Sequence, residues 1–241
     1  MTGFTFGHDW PWIGGVAGLI LSYFLFFTRK LQADPSQSRW RDLTWLAWAA
    51  VLAYLAHNIE EYGIDLLGRT YAFPATLNKT FAGAVQTPPN AFYLAVNISA
   101  VWVAFPLAAM LSKRHPLVGL AGYSVIAINF LTHIGAFLAG GYNPGLLTAV
   151  VIFLPATVWL AHALFGAGRM SYKGFWLVMF GGVVAHAVLL GSIQAFARGW
   201  IASDVLVPLQ VVNQVILLAV LWAGERALGA LRPDVGPSGS A

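Results

Sequence analysis

Thr44-Trp45-Leu46-Ala47-Trp48-Ala49-Ala50-Val51-Leu52-Ala53-Tyr54-Leu55-Ala56 reads as the body of a membrane-spanning helix, and it closes on His57-Asn58-Ile59-Glu60-Glu61-Tyr62. That closing segment holds two of the chain's three glutamates. An ionisable group at membrane depth costs roughly 2.5–3.5 kcal/mol on insertion scales, so such groups usually mark function. A histidine followed by carboxylates at i+3 and i+4 places imidazole and acid on one helical face. The pattern suits binding a metal or moving a proton.

The rest of the chain has the same character. Of its 241 residues, 59% are hydrophobic and 9% charged, against about 25% charged in a typical soluble domain, and the mean hydropathy is +0.71. Several stretches exceed the eighteen or so apolar residues that signal a span. The expected fold is an all-α membrane protein, a seven-helix transmembrane bundle with spans at about 11–28, 44–62, 91–111, 117–139, 146–166, 175–196 and 205–223. Residues 1–232 are expected to form one domain, and the small, polar stretch 233–241 a disordered tail. The chain has no cysteine, which excludes disulfides, thiolate metal sites and cysteine nucleophiles. Its formal charge of +4 follows from loop composition, and no nucleic-acid signature is present.

Lysine and arginine positions give an orientation. With seven spans, Arg29, Lys30, Arg39, Arg41, Lys113, Arg114, Arg169, Lys173, Arg226 and Arg232 share one side, and only Arg69, Lys79 and Arg198 lie on the other. By the positive-inside rule this predicts an outside N-terminus and a cytoplasmic C-terminus in a plasma (inner) membrane. Met1–Asp9 carries no Lys or Arg, so the first span does not read as a cleaved signal peptide. The outer connection 63–90 is unusually apolar, with Leu66, Leu67, Tyr71, Phe73 and Phe81, and is punctuated by Pro74, Pro88 and Pro89. It fits either a cap over the outer mouth or a segment lying on the membrane surface. Gly14-x-x-x-Gly18, Gly140-Gly141 and Gly181-Gly182 are expected at close helix contacts.

At a rise of 1.5 Å per residue, position converts to height. His57 comes to about 20 Å above the inner face, His133 to about 24 Å, His186 to about 17 Å and Asn129 to about 18 Å. Asn97, Gln210, Asn213 and Gln214 fall about 8–14 Å below the outer face. These groups share a band in the outer half of a slab ~30 Å thick, with Glu60 and Glu61 just above it. Tyr142-Asn143-Pro144-Gly145 predicts a tight turn, proline fixing φ and glycine supplying positive φ, from which the Tyr142 hydroxyl is within reach of the band.

Taken together, His57-x-x-Glu60-Glu61, Asn129-x-x-x-His133 and Tyr142-x-Pro144-Gly145 resemble, in order, the motifs of the HXXEE-domain family of membrane proteins. The resemblance spans Tyr54 to Gly145 and implies the residues of a site. It carries no activity with it.

The residues themselves leave three chemistries open. The first is a metal-dependent enzyme: His57, His133 and His186 with Glu61 as ligands for zinc or non-haem iron, and Glu60, Glu61 and Tyr142 as catalytic groups. A di-iron site of the helical-bundle type needs four carboxylates, so a mononuclear site is expected. Asn129, Asn97, Gln210, Asn213 and Gln214 would support the site or touch substrate. The second is metal-free acid–base catalysis, such as isoprenoid cyclisation or isomerisation, with one glutamate as acid and a histidine as base. The third is a proton-coupled transporter, for which the aligned polar groups fit a relay but no inverted repeat is visible. A retinal photoreceptor is excluded because Lys30, Lys79, Lys113 and Lys173 all fall outside the spans. The expected partners are membrane lipids and a hydrophobic small-molecule substrate.

Overall fold

The computed structural model describes residues 5–80 and 84–228. The expected tail 233–241 and the apolar Phe81 lie outside the described residues. Within them the structure is helical, without a strand. The helices are α1 (Phe6–Phe27), α2 (Leu43–Asn58), α3 (Ala72–Thr80), α4 (Asn90–Leu111), α5 (Pro116–Gly119), α6 (Ala121–Gly140), α7 (Leu146–Leu164), α8 (Tyr172–Ala197) and α9 (Ser203–Ala227). Six of them, α1, α4, α6, α7, α8 and α9, are long and apolar enough to cross a membrane. At 16 residues, α2 is short of the ~20 that a span needs. It continues without a break into a π-helical turn, Ile59–Gly63.

These bounds follow the sequence expectations closely, with two differences. The first helix begins earlier, at Phe6. The stretch expected as the fourth span is divided at Leu120 into α5 and α6. The start of α5 is held from a distance: the Glu225 carboxylate on α9 accepts the Leu117 N–H at 2.8 Å and pairs with His115 at 3.2 Å.

The centre of the fold is α2, packed by α1, α4, α6 and α7. Trp45, Leu46, Ala50, Val51, Tyr54 and Leu55 on it are all buried. The helices around it turn their outer sides to the surface: Leu19, Leu138, Trp176 and Val215 are each more than half exposed, as a lipid environment permits. A second, aromatic cluster formed by Trp10, Tyr62, Phe92, Tyr93 and Phe196 gathers at the end where α2 finishes.

Two more rods contain π segments, Ile98–Ala104 in α4 and Ala149–Phe153 in α7. Each runs directly into a residue followed by proline, Phe105-Pro106 and Leu154-Pro155. Proline has no N–H and its ring collides with the carbonyl four residues back. A widened turn accommodates both defects without breaking the rod.

Glycine sets the closest contact between rods. A Cβ on Gly182 of α8 would lie 1.9 Å from the Ser124 carbonyl oxygen of α6, and one on Gly181 would lie 2.9 Å from Leu221 of α9. Gly14 and Gly18 likewise face Leu55 and Leu52 of α2. Gly140 and Gly141 depart from the expectation, since nothing approaches either within 4 Å. Gly141, at φ +82°, ends α6 instead, because only glycine takes that conformation without strain.

After α2 the chain makes a small closed loop. Ile64 bridges to Thr70, and Asp65 accepts the amides of Leu67 at 3.0 Å and Arg69 at 2.8 Å while pairing with the Arg69 guanidinium at 2.6 Å. Burial opposes ionisation of Asp65, but the hydrogen bonds and charge of Arg69 outweigh it and hold the carboxyl below its usual value.

Two outcomes follow. Gly182→Ala should lower stability in detergent by about 1–3 kcal/mol, the usual effect of overpacking, whereas Gly140→Ala should stay within about 0.5 kcal/mol of wild type; thermal unfolding compares them. Because Asp65 titrates below its unfolded value of about 3.9, its contribution is present above that pH and lost as pH falls through the lower folded value. The amide resonances of Leu67 and Arg69 should therefore move together in an acid titration, and Asp65→Asn should displace them already at neutral pH.

Candidate metal centre

Glu60 is buried on the π turn and faces the start of α7. Its Oε1 accepts from the Leu147 N–H at 3.0 Å and the Tyr142 hydroxyl at 3.1 Å, and its Oε2 from the Thr148 N–H at 2.7 Å and the Thr148 hydroxyl at 2.6 Å. The first N–H groups of any helix lack intrahelical partners, and negative charge is favoured there. Glu60 thus closes the N-terminus of α7. Tyr142 accepts the Leu66 N–H at 3.0 Å, which ties the outer loop to the same corner. Burial pushes the Tyr142 hydroxyl up to about 12, with the charge of Glu60 adding to the effect and the bond from Leu66 opposing it. It therefore stays protonated and donates to Glu60.

The turn before α7 is the expected one. Gly145 has φ +95° and ψ −13°, and the Leu146 N–H reaches the Asn143 carbonyl at 3.1 Å, the geometry of a type II turn with Pro144 at its first corner. Gly145 also carries a packing role. A Cβ there would stand 2.6 Å from Cε1 of both His57 and His133, and 3.0 Å from Cγ of Glu61. The glycine is the floor on which the two imidazoles rest.

Proton counting assigns those imidazoles. The amide nitrogen of Asn143 donates to the His133 carbonyl at 3.1 Å, so its Oδ1, 2.5 Å from His133 Nδ1, must accept a proton carried by that nitrogen. Thr148 gives its only hydroxyl proton to Glu60, so its oxygen accepts from His57 Nδ1 at 2.7 Å. Both rings turn Nε2 toward Oε1 of Glu61, at 3.3 Å from His57 and 3.4 Å from His133. The three ligand atoms lie within 4.8 Å of one another, and all three side chains are buried. His57 Nε2 has no hydrogen-bond partner.

A buried carboxylate facing two ring nitrogens needs positive charge beside it, either a proton on a ring or a cation held among the three atoms. The separations exceed the usual ~2.9–3.0 Å of an N–H···O bond. They match the edge of a tetrahedron with ligand bonds of about 2.0–2.1 Å, an edge of about 3.3–3.4 Å. The donor set, two imidazoles and one carboxylate with outer partners fixing each ring, is one that holds zinc or iron. His57, Glu61 and His133 could therefore hold a metal ion.

A cavity of about 260 Å³ adjoins the cluster. Glu61, His133 and Asn143 form its polar end, with Tyr54, Tyr62, Phe92 and Tyr93 among its apolar walls. Phe73, Thr76 and Leu77, one face of α3, line it as well, so this part of the outer connection contributes to the cavity wall.

The remaining expected site residues divide into two groups. His186 lines the cavity but stays out of the ligand cluster, its Nδ1 bonded to the Gly182 carbonyl at 2.9 Å; a core position on α8 directs the ring back along its own helix. Asn97 and Asn129 line the cavity too, Asn129 donating to the Tyr54 hydroxyl at 2.8 Å and Asn97 to the Tyr93 carbonyl at 2.9 Å. Gln210, Asn213 and Gln214 are buried on α9 outside the cavity lining. Gln210 bonds Ser192 at 3.0 Å and Asn213 the Ala185 carbonyl at 2.9 Å, so these two join α9 to α8. Equal position along the rods does not by itself place side chains on facing surfaces.

Sequence reasoning missed Asn143 and Thr148, the residues that fix the rings. Each left a trace: an amide inside the tyrosine–proline–glycine turn, and a hydroxyl three residues past Gly145 at the head of an apolar helix.

Residues 48–160 match the family model described as a protein of unknown function with HXXEE motif. The resemblance read from the three motifs therefore holds, and the matched stretch contains the whole ligand cluster with Glu60, Asn143 and Thr148. No curated protein and no solved structure matches the chain.

Gly145→Ala is expected to displace both imidazoles and lower metal affinity by about 10–100-fold, the range seen when the groups orienting a ligand are lost. Titration with Zn²⁺ monitored by calorimetry measures it, with Gly168→Ala, a positive-φ glycine remote from the cluster, as the control for backbone strain alone.

Proposed function

We propose that this chain is a membrane-embedded enzyme that binds a zinc or iron ion through His57, Glu61 and His133 and acts on a lipophilic substrate held in the adjoining cavity. The observation that carries the reading is the pair of Nε2 atoms directed at one carboxylate oxygen at 3.3 and 3.4 Å, each ring held at Nδ1 by its own outer partner. Zinc in such a site activates water for hydrolysis, and iron supplies oxidation chemistry. The chain's own residues do the rest. Asn143 holds His133 in its tautomer, Thr148 relays the hold of Glu60 onto His57, and the aromatic walls exclude water from the cluster. Glu61 faces both the ligand cluster and the cavity, which places it to exchange a proton with bound substrate. Glu60, engaged by four donors, positions and does not react.

In this reading α2 with its π turn is the seventh span, and the bundle stands with the metal centre in the outer half of the plasma membrane and the lysine-rich loops in the cytoplasm. The lower half of the bundle around α2 is packed with apolar side chains, which supports a pocket closed on one side over a conduit. The second reading, metal-free acid–base catalysis, would place a proton in the position assigned to the ion. The 3.3 and 3.4 Å separations, long for hydrogen bonds, favour the ion.

Elemental analysis of protein purified without chelators should find about one zinc or iron per chain, lost in His57→Ala and His133→Ala. Glu61→Gln should lose metal while keeping its melting temperature within a few degrees, whereas Glu60→Gln should chiefly lower the melting temperature because it loosens the start of α7. Wild type free of metal, with activity on a lipid or isoprenoid retained and removed by Glu61→Gln, would establish the acid–base reading instead.

A further inference from the structure

The cavity beside the metal centre reaches the molecular surface through the side of the bundle. On α6 it is lined by Thr132 and Ala136, and on α8 by Leu189, Leu190 and Ile193. Thr132 and Ala136 are exposed, and Leu190 is 51% exposed, so these side chains face the cavity and the perimeter at once. The two helices touch near their other ends, where Gly182 meets the Ser124 carbonyl. From Ser124 to Ala136 is a climb of about 18 Å, and at that height the cavity lies between the rods. Gly135 and Gly191 have no atom of another element within 4 Å of where a side chain would start, so among the described residues nothing packs against these two positions. The top is covered by α3, with Phe73 and Leu77 over the cavity.

We infer that the gap between α6 and α8 is a lateral portal through which a single-chain amphiphile, an alcohol, aldehyde or acid on one hydrocarbon tail, slides head first from the membrane. The identity of the head that reacts rests on the proposed metal centre; the route and the tail site do not. The polarity of the cavity fixes the direction. Its inner end carries Glu61, His133 and Asn143, its flank Asn129, Asn97 and His186, and its membrane end Thr132 among small or aliphatic side chains. A polar head bonded at the inner end replaces the water it leaves, while the tail stays in apolar surroundings throughout, so transfer strips no hydrocarbon of favourable contacts. Size limits the occupant. At about 260 Å³ the cavity is below the ~300–1,000 Å³ of pockets that enclose whole drug-sized ligands. It holds a head and the first carbons of one tail, with the remainder lying between Ala136 and Leu190 among the bilayer chains. Two tails joined at one head do not fit.

The full-length protein in phosphatidylcholine vesicles, exposed to a long-chain fatty alcohol bearing a diazirine near its head and then irradiated, tests this by mass-spectrometric mapping of adducts. Adducts are expected on Ile193, Leu189 and Phe92 in addition to the outward-facing Trp176 and Phe180. Ala136→Trp and Thr132→Trp, both at exposed positions, should reduce the interior adducts by about tenfold or more, within the one to three decades over which changes at one interface move association. Adducts on Trp176 and Phe180 should stay unchanged, and Leu138→Trp, exposed on α6 away from the cavity, should leave all of them unchanged. Adducts confined to outward residues, or interior adducts as strong in Ala136→Trp and Thr132→Trp as in wild type, would overturn the portal. The metal content of the same samples is read separately. A metal-free protein with interior adducts sinks the metal centre and keeps the portal, and a metal-loaded protein without them does the reverse.

Discussion

The buried carboxylate of Glu60 meets the first turn of α7, and the site is assembled around that meeting. A charged oxygen pair inside a helical bundle needs donors on every side, and the start of a helix is the densest supply of unpaired N–H groups that a fold offers. Each element gains what it lacks. The bond fixes where α7 begins, which fixes Thr148, and Thr148 in turn sets the proton on His57. The same corner carries the Pro144-Gly145 turn on which both imidazoles rest and Asn143, which sets the proton on His133. One structural acid thus leaves the second, Glu61, to face two ring nitrogens.

The π turns belong to the same logic. Glu60 and Glu61 are adjacent in sequence and serve different partners, Glu60 the start of α7 and Glu61 the two histidines. On a regular helix neighbours diverge by about 100°, and the added residue of a π turn adjusts that divergence while the backbone stays hydrogen-bonded, as an apolar surrounding requires. The π segments of α4 and α7 begin directly after Asn97 and Thr148 and end at prolines. At these places the rods trade regularity for the direction of a side chain.

Burial and access are balanced by the uneven spacing of the outer helices. Where α6 and α8 meet, glycine brings backbone against backbone, and further along both helices contribute to the cavity lining. A centre made of two imidazoles and an acid gains electrostatic strength where water is excluded, and its three side chains are buried. The short helix α3 closes the remaining side with an aromatic and an aliphatic residue.

Composition and hydrophobic run length were enough to establish a helical membrane-type chain with its rods at nearly the observed bounds, since a run of about twenty apolar residues in a bilayer satisfies its own backbone by coiling into a helix. Polar residues inside those runs were conspicuous for the same reason, and so His57, Glu61 and His133 were legible, along with Asn129 and Asn97 beside the cavity. Which of the polar groups at one height turn toward each other depends on rotation of each rod about its axis, and packing alone sets that. His186 was read as a ligand and bonds its own helix, Gln210 and Asn213 were read as site residues and hold α9 to α8, and Glu60 was read as catalytic and closes α7. The sequence determined that the chemistry lies near the end of α2, because charge in an apolar run has few ways to be tolerated. The tertiary structure decided which atoms meet, because Nδ1 of His57 and Nδ1 of His133 are each engaged by a residue outside the histidine's own helix.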